Sequence, residues 1–210
     1  MVSKSVSILI ALILAQTCAA GIVFQDGFES GNLNLWQISG SSGSVKTAHQ
    51  NQLGGGPLPA ANGDYLVLFS AGGAPTDGEL SVIFNTIVGQ TYDLSFDFGT
   101  FRGQPQSIRV TVSDATNNNM ILDRSMTGPT GTFNNANLFD HYSYQFMASS
   151  HLTRLKFNDL GGPGDDSSDG ALDNVLVTYS STVPEPSSAA IAAAFLMGSA
   201  WRCRQRRKLI

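Results

Sequence analysis

Asp93-Leu94-Ser95-Phe96-Asp97-Phe98 and, after a short gap, Ser107-Ile108-Arg109-Val110-Thr111-Val112-Ser113 decide the fold of this 210-residue chain. Apolar and polar residues alternate one for one in both stretches, the period of a strand with one buried and one wet face. Working outward, Tyr142, Tyr144 and Phe146 alternate with Ser143 and Gln145, and Leu155 and Phe157 with Arg154 and Lys156. Residues 65–69 and 175–179 are apolar on both faces, as strands inside a sheet are. Asn117-Asn118-Asn119 and Gly161-Gly162-Pro163-Gly164 carry turn chemistry. No helical period intervenes. Short strands without helices between them predict an all-β chain, an antiparallel β-sandwich or jelly roll, over residues 21–180.

Composition narrows the function. Charged residues are 13%, with 22 Gly and only 2 Cys. This excludes a coiled coil, a zinc finger and a disulfide-stapled miniprotein. Residues 21–180 hold six Lys/Arg against fifteen Asp/Glu, a net charge of −9. Such a domain repels a polyanion, so no nucleic-acid partner is expected. The other basic residues are Lys4 and a cluster in the last nine positions.

Both ends read as targeting segments. After Lys4, Ile8-Leu9-Ile10-Ala11-Leu12-Ile13-Leu14-Ala15 leads to Cys18-Ala19-Ala20. The run is too short to span a bilayer and ends in small residues, the pattern of a cleaved secretory signal over residues 1–20. Lipidation at Cys18 is the alternative, with Gln16-Thr17 a poor approach to it. The other end, residues 181–210, holds Pro184-Glu185-Pro186, a largely apolar stretch of 13 residues from Ala189 to Trp201, and Arg202, Arg204, Arg206 and Arg207. As a helix the apolar run reaches ~20 Å against ~30 Å of hydrocarbon. A weak membrane anchor or a buried C-terminal helix would account for it alone. The strict order of the three features closely resembles the PEP-CTERM sorting signal of Gram-negative bacteria. That resemblance implies recognition of Pro184, Glu185 and Pro186 by an exosortase, a membrane-embedded protease, with the four arginines as the stop. It also implies export, a transient inner-membrane tether through the tail, and a final place in the cell envelope or in an extracellular, exopolysaccharide-rich biofilm matrix.

The middle carries a second resemblance. Asp26-Gly27-Phe28-Glu29-Ser30-Gly31 with Trp36 looks like the opening of galactose-binding-like jelly-roll domains. Gly89-Gln90-Thr91-Tyr92-Asp93-Leu94-Ser95-Phe96 resembles their paired middle strands, and Leu172-Asp173-Asn174-Val175-Leu176-Val177 their last strand. It implies a carbohydrate-binding-module-like domain and a structural calcium ion at Asp26, Glu29 and Asp173. Asp173 also shares parity with Val175, Val177 and Tyr179, so it is expected on the buried side, where a carboxylate needs a cation or close hydrogen bonds. Calcium, an Arg partner and a loop-capping role each meet that need. The second acidic loop, Asp165-Asp166-Ser167-Ser168-Asp169-Gly170, lacks EF-hand spacing and reads as a solvated turn.

A sugar site needs an aromatic platform with hydrogen-bonding neighbours. Trp36, Tyr65, Phe101 and Arg102 are the candidates, with a core or supporting role the competing reading for each and burial in the core that for Trp36. His49, His141 and His151 lack metal-ligand spacing, and no Gly-x-Ser-x-Gly elbow occurs. No catalytic residue is assigned. The expectation is a non-catalytic module contacting extracellular polysaccharide; a structural matrix protein without a sugar ligand and, third, a secreted hydrolase are the alternatives.

Overall fold

The computed structural model describes residues 20–50, 61–70, 74–100, 105–129, 139–162 and 170–180. Residues 1–19 and 181–210, with both targeting segments, lie outside the described residues, as do Phe101, Arg102 and the acidic loop from Asp165 to Asp169.

The described residues contain eleven strands and no helix. They are β1 (Ala20–Asp26), β2 (Gln37–Ser39), β3 (Val45–His49), β4 (Tyr65–Phe69), β5 (Glu79–Asn85) and β6 (Thr91–Thr100). β7 (Ser107–Asp114), β8 (Met120–Thr127), β9 (Phe139–Met147), β10 (Leu152–Gly161) and β11 (Gly170–Ser180) follow. Two antiparallel sheets form a sandwich. One runs β3-β4-β11-β6-β9, with β1 also paired to β11; the other runs β2-β5-β10-β7-β8.

The alternating stretches become β6, β7, β9 and β10. Leu94, Phe96 and Phe98 point inward from the first sheet, and Val110, Val112, Leu155 and Phe157 from the second; all are essentially inaccessible to water. Their burial drives the two sheets together, each large side chain contributing ~1.5–3 kcal/mol. An aromatic seam joins the layers. Phe96 meets Phe157 edge-on at 5.0 Å, and Trp36 lies 5.3 Å from Phe24 and 6.2 Å from Phe157. Such offset and edge-on pairs are the arrangements the ring quadrupole favours.

β4 and β11 are interior strands, as their apolar faces require. β11 pairs with β4 and β1 on one side and with β6 on the other. The Asn117-Asn118-Asn119 turn links β7 to β8. Asn118 takes φ 62°, a left-handed conformation that Asn tolerates.

Candidate functional site

One irregularity shapes the site. β11 slips against β6 between Asp173 and Leu176, so two residues stand where strict alternation allows one. Asn174 takes up the extra length at φ 51°. Parity counted back from Val175 therefore does not carry through to Asp173. Asp173 is fully buried, but it stands opposite Asp97, and the backbone of the segment before β4 covers it.

Beside the bulge, the turn after β1 folds back on itself. Asp26 Oδ1 accepts the Phe28 N–H at 2.7 Å, and Phe28 adopts φ 60°. Glu29 is thereby aimed at the approach to β4, where its carboxylate accepts the N–H groups of Asp64 and Tyr65 at 2.9–3.1 Å. Gly63, at φ 74°, lies so close that any side chain there would overlap the Glu29 carboxylate. Asp173 accepts from Asn62 N–H at 3.1 Å and Asn174 N–H at 2.7 Å. Burial pushes its carboxyl up to about 7; the N–H groups of Asn62, Asn174 and Ala61 pull it down, and the Glu29 charge raises it further.

The three carboxylates expected around calcium thus divide. Glu29 and Asp173 are brought together on the segment before β4. Asp26 is engaged elsewhere, its Oδ2 accepting the Trp36 indole N–H at 2.8 Å. Among the described residues no three His, Cys, Asp or Glu side chains gather at metal-binding spacing. The remaining pair suits a hard cation chemically. Both members are oxygen donors, each oxygen has about two lone-pair sites, and Asp173 has no cationic side chain beside it among the described ion pairs.

Trp36 is core, not platform. It is 7% exposed, and Phe24, Phe28 and Phe157 pack around its ring. Its indole N–H needs an acceptor when buried, and Asp26 supplies one.

Over the bulge and the outer face of the first sheet lies an open groove of about 780 Å³. Gln25, Ser95, Asp97, His141, Asn174 and Leu176 line it, with Asp26, Glu29, Leu35 and Asn62 among its remaining walls. Among the described lining residues there is no Phe, Tyr, Trp, Lys or Arg. Register sets the polar outer face of β6 and β9, of which Ser95, Asp97 and His141 line the groove: Asp97 stands opposite His141, Ser95 opposite Ser143 and Asp93 opposite Gln145. Directly opposed residues share a face, so each pair can bond across the strands. His141 Nδ1 lies 2.7 Å from Asp97 Oδ1, and Gln145 Nε2 donates to Asp93 Oδ1 at 2.7 Å. Asn174 Nδ2 donates to Asp97 Oδ2 at 2.6 Å, tying the bulge into the same network. Such a surface offers fixed hydrogen-bonding groups to a polar ligand.

Sequence reasoning did not single out Asp97, His141 or Asn174. Alternation placed Asp97 on the wet face, but only the β6–β9 register brings His141 to it.

Solved structures share this fold. TmCBM61, solved with β-1,4-galactotriose, is 21% identical over 72% of this chain and 92% of its own, with a TM-score of 0.51. The CBM22-1 xylan-binding domain of Xyn10C from Paenibacillus barcinonensis is 14% identical over 78% of this chain and 97% of its own, TM-score 0.52. The K1 cleaved adhesin domain of Lys-gingipain from Porphyromonas gingivalis W83 is 17% identical over 75% of this chain and 98% of its own, TM-score 0.52. At these identities the likeness is one of fold. No curated protein matches the chain. Residues 20–163 match the family described as a carbohydrate binding domain, and with more than half its length inside that match the protein belongs to this family.

Proposed function

We propose that this protein is an exported, non-catalytic carbohydrate-binding module that holds extracellular polysaccharide in the groove over its first sheet. The groove carries the reading. It is a trough on a sheet face with hydrogen-bonding side chains along it, in a chain of the carbohydrate binding domain family. Galactotriose in TmCBM61 and xylan in the Xyn10C domain make neutral β-linked polysaccharides the first ligands to try. Glu29 and Asp173, with backbone carbonyls, would hold a structural calcium ion, whose charge offsets the burial of Asp173. Sorting rests on the C-terminal segment: Pro184-Glu185-Pro186 is the exosortase recognition motif, and the arginines after Trp201 arrest the tail in the inner membrane.

Two measurements test this reading. Residues 21–180 are applied to immobilised xylan, β-1,4-galactan and the host's own exopolysaccharide in calcium buffer. Retention on at least one is expected, and none on any overturns the sugar site. Intact mass spectra of the native protein, from membrane and released fractions, are expected to lack residues 1–20 and the tail beyond Pro186. An intact C-terminus in the membrane fraction would mean a plain anchored protein and remove the exopolysaccharide link.

One observation favours a second reading, a structural matrix protein with no sugar ligand. The groove's described lining has no Trp, Tyr or Phe on which a pyranose could stack. Retention of the polysaccharide matrix after deletion of the gene would count against it.

A further inference from the structure

We infer that His141 is a ligand-contacting residue of the groove: its imidazole Nε2 accepts a hydroxyl hydrogen bond from the bound glycan. The inference rests on the sugar-binding reading above and assigns that site one contact.

Three features of the structure lead there. First, His141 supplies the only ring among the groove's described lining residues. It stands on β9, an edge of the first sheet, with its side chain 64% exposed, so nothing in the fold requires it for packing. Second, its orientation is fixed from behind. Nδ1 lies 2.7 Å from Asp97 Oδ1, Asp97 is only 16% exposed, and its second oxygen is held by Asn174 at the β11 bulge. A carboxylate oxygen only accepts, so Nδ1 carries a proton, and in the neutral ring Nε2 is then the acceptor that faces the groove. Third, the neighbouring carboxylates are each already engaged by the protein's own donors. The Asp97 oxygens serve His141 and Asn174, those of Asp26 serve Phe28 and Trp36, and the Glu29 carboxylate serves Asp64 and Tyr65. Nε2 is left as an oriented acceptor at the groove surface. Asp97 and Asn174 are positioning residues that set the ring and its tautomer.

The decisive variant is His141→Asn. An asparagine amide nitrogen takes the place of Nδ1 and still donates to Asp97, but nothing occupies the place of Nε2. His141→Gln is the converse, restoring a polar group near Nε2 without the Asp97 contact. Affinity is measured calorimetrically on full-length protein in detergent, with xylan, β-1,4-galactan and the host exopolysaccharide as probes. His141→Asn is expected to bind the retained glycan about fivefold more weakly, the loss of one ordinary net hydrogen bond, at an unchanged melting temperature. His141→Gln is expected to recover part of that loss. Histidine-labelled protein, with its three ring systems assigned through the variants, is expected to show the Nδ1–H tautomer at His141 and a shift of Nε2 on adding glycan.

The outcomes separate the two claims. Wild-type affinity in His141→Asn overturns the assignment of His141 and leaves the groove as the sugar site. An Nε2–H tautomer in the free protein overturns the assignment without any sugar present. Binding of no probe by the wild type overturns both.

Discussion

Replacing Asp173 by Asn tests how the burial of this carboxylate is balanced. Its carboxyl rises from an ordinary 3.8 to about 7, chiefly by burial. The folded state thus holds a proton that the unfolded chain has already released. Stability is full below the unfolded value and is lost as pH climbs toward the folded one. Roughly three pH units of separation set a ceiling of ~4 kcal/mol on that loss. At ~2–4 °C per kcal/mol for a domain of this size, the ceiling is roughly 10 °C. Relaxation and water entry reduce it, so a fall of about 5 °C between about pH 5 and about pH 8 is expected. The assay is a set of thermal melts in chelator. Histidines titrate in the same window, so the quantity read is the difference between wild type and Asp173→Asn, in which they cancel. The variant is expected to lack the Asp173 share of the fall. It starts from a lower melting temperature at about pH 5, because the amide nitrogen meets an N–H donor of Asn62 or Asn174 where an oxygen stood. Calcium binds the ionised form, so adding it is expected to restore the wild type at high pH and to leave the variant unmoved. Parallel curves for the two proteins in chelator would refute the burial argument. Equal wild-type melting with and without calcium would remove the ion.

Other substitutions sort the site's parts. Trp36→Ala deletes a ring packed by three others and strands the Asp26 carboxylate; a loss of ~3–5 kcal/mol by denaturant titration is expected. A loss below ~1 kcal/mol would mean that Trp36 is not part of the core. Gly63→Ala forces a side chain into a left-handed residue and into Glu29, and is expected to cost at least ~1–2 kcal/mol and any calcium response with it. Arg109→Ala removes an ion pair to Asp123 at 2.5 Å on the outer face of the second sheet. Both partners are exposed, so its melting temperature is expected to match the wild type; a clear fall in low salt would show the pair to be structural.

The sandwich was legible because its strands carry their burial in their own alternation. Leu94, Phe96 and Phe98 announce an inner face wherever β6 lies in the sheet. The order of the strands was not legible in the same way. β11 pairs with β4, β1 and β6, partners far apart in the chain, and nothing in residues 175–179 says which apolar strand lies beside them. β5 also hides its role. Glu79–Asn85 mixes buried Leu80, Val82 and Phe84 with Ile83, which is 46% exposed, so the apolar run marks no face.

The site shows the same division more sharply. Periodicity assigned Asp97 to the wet face, and that assignment holds because β6 is regular from Thr91 to Thr100. The burial expected of Asp173 is met, but by another route: a single inserted residue at Asn174 resets the count, and the backbone before β4 covers the carboxylate. His141 was invisible for a third reason. A lone histidine on an edge strand has no spacing partner in the sequence; its partner is Asp97, forty-four residues away, selected by the β6–β9 register. The groove is therefore a product of pairing rather than of any motif. A substitution that shifted β9 by one residue would turn His141, Ser143 and Gln145 to the opposite face and remove His141 from the groove while leaving their composition untouched.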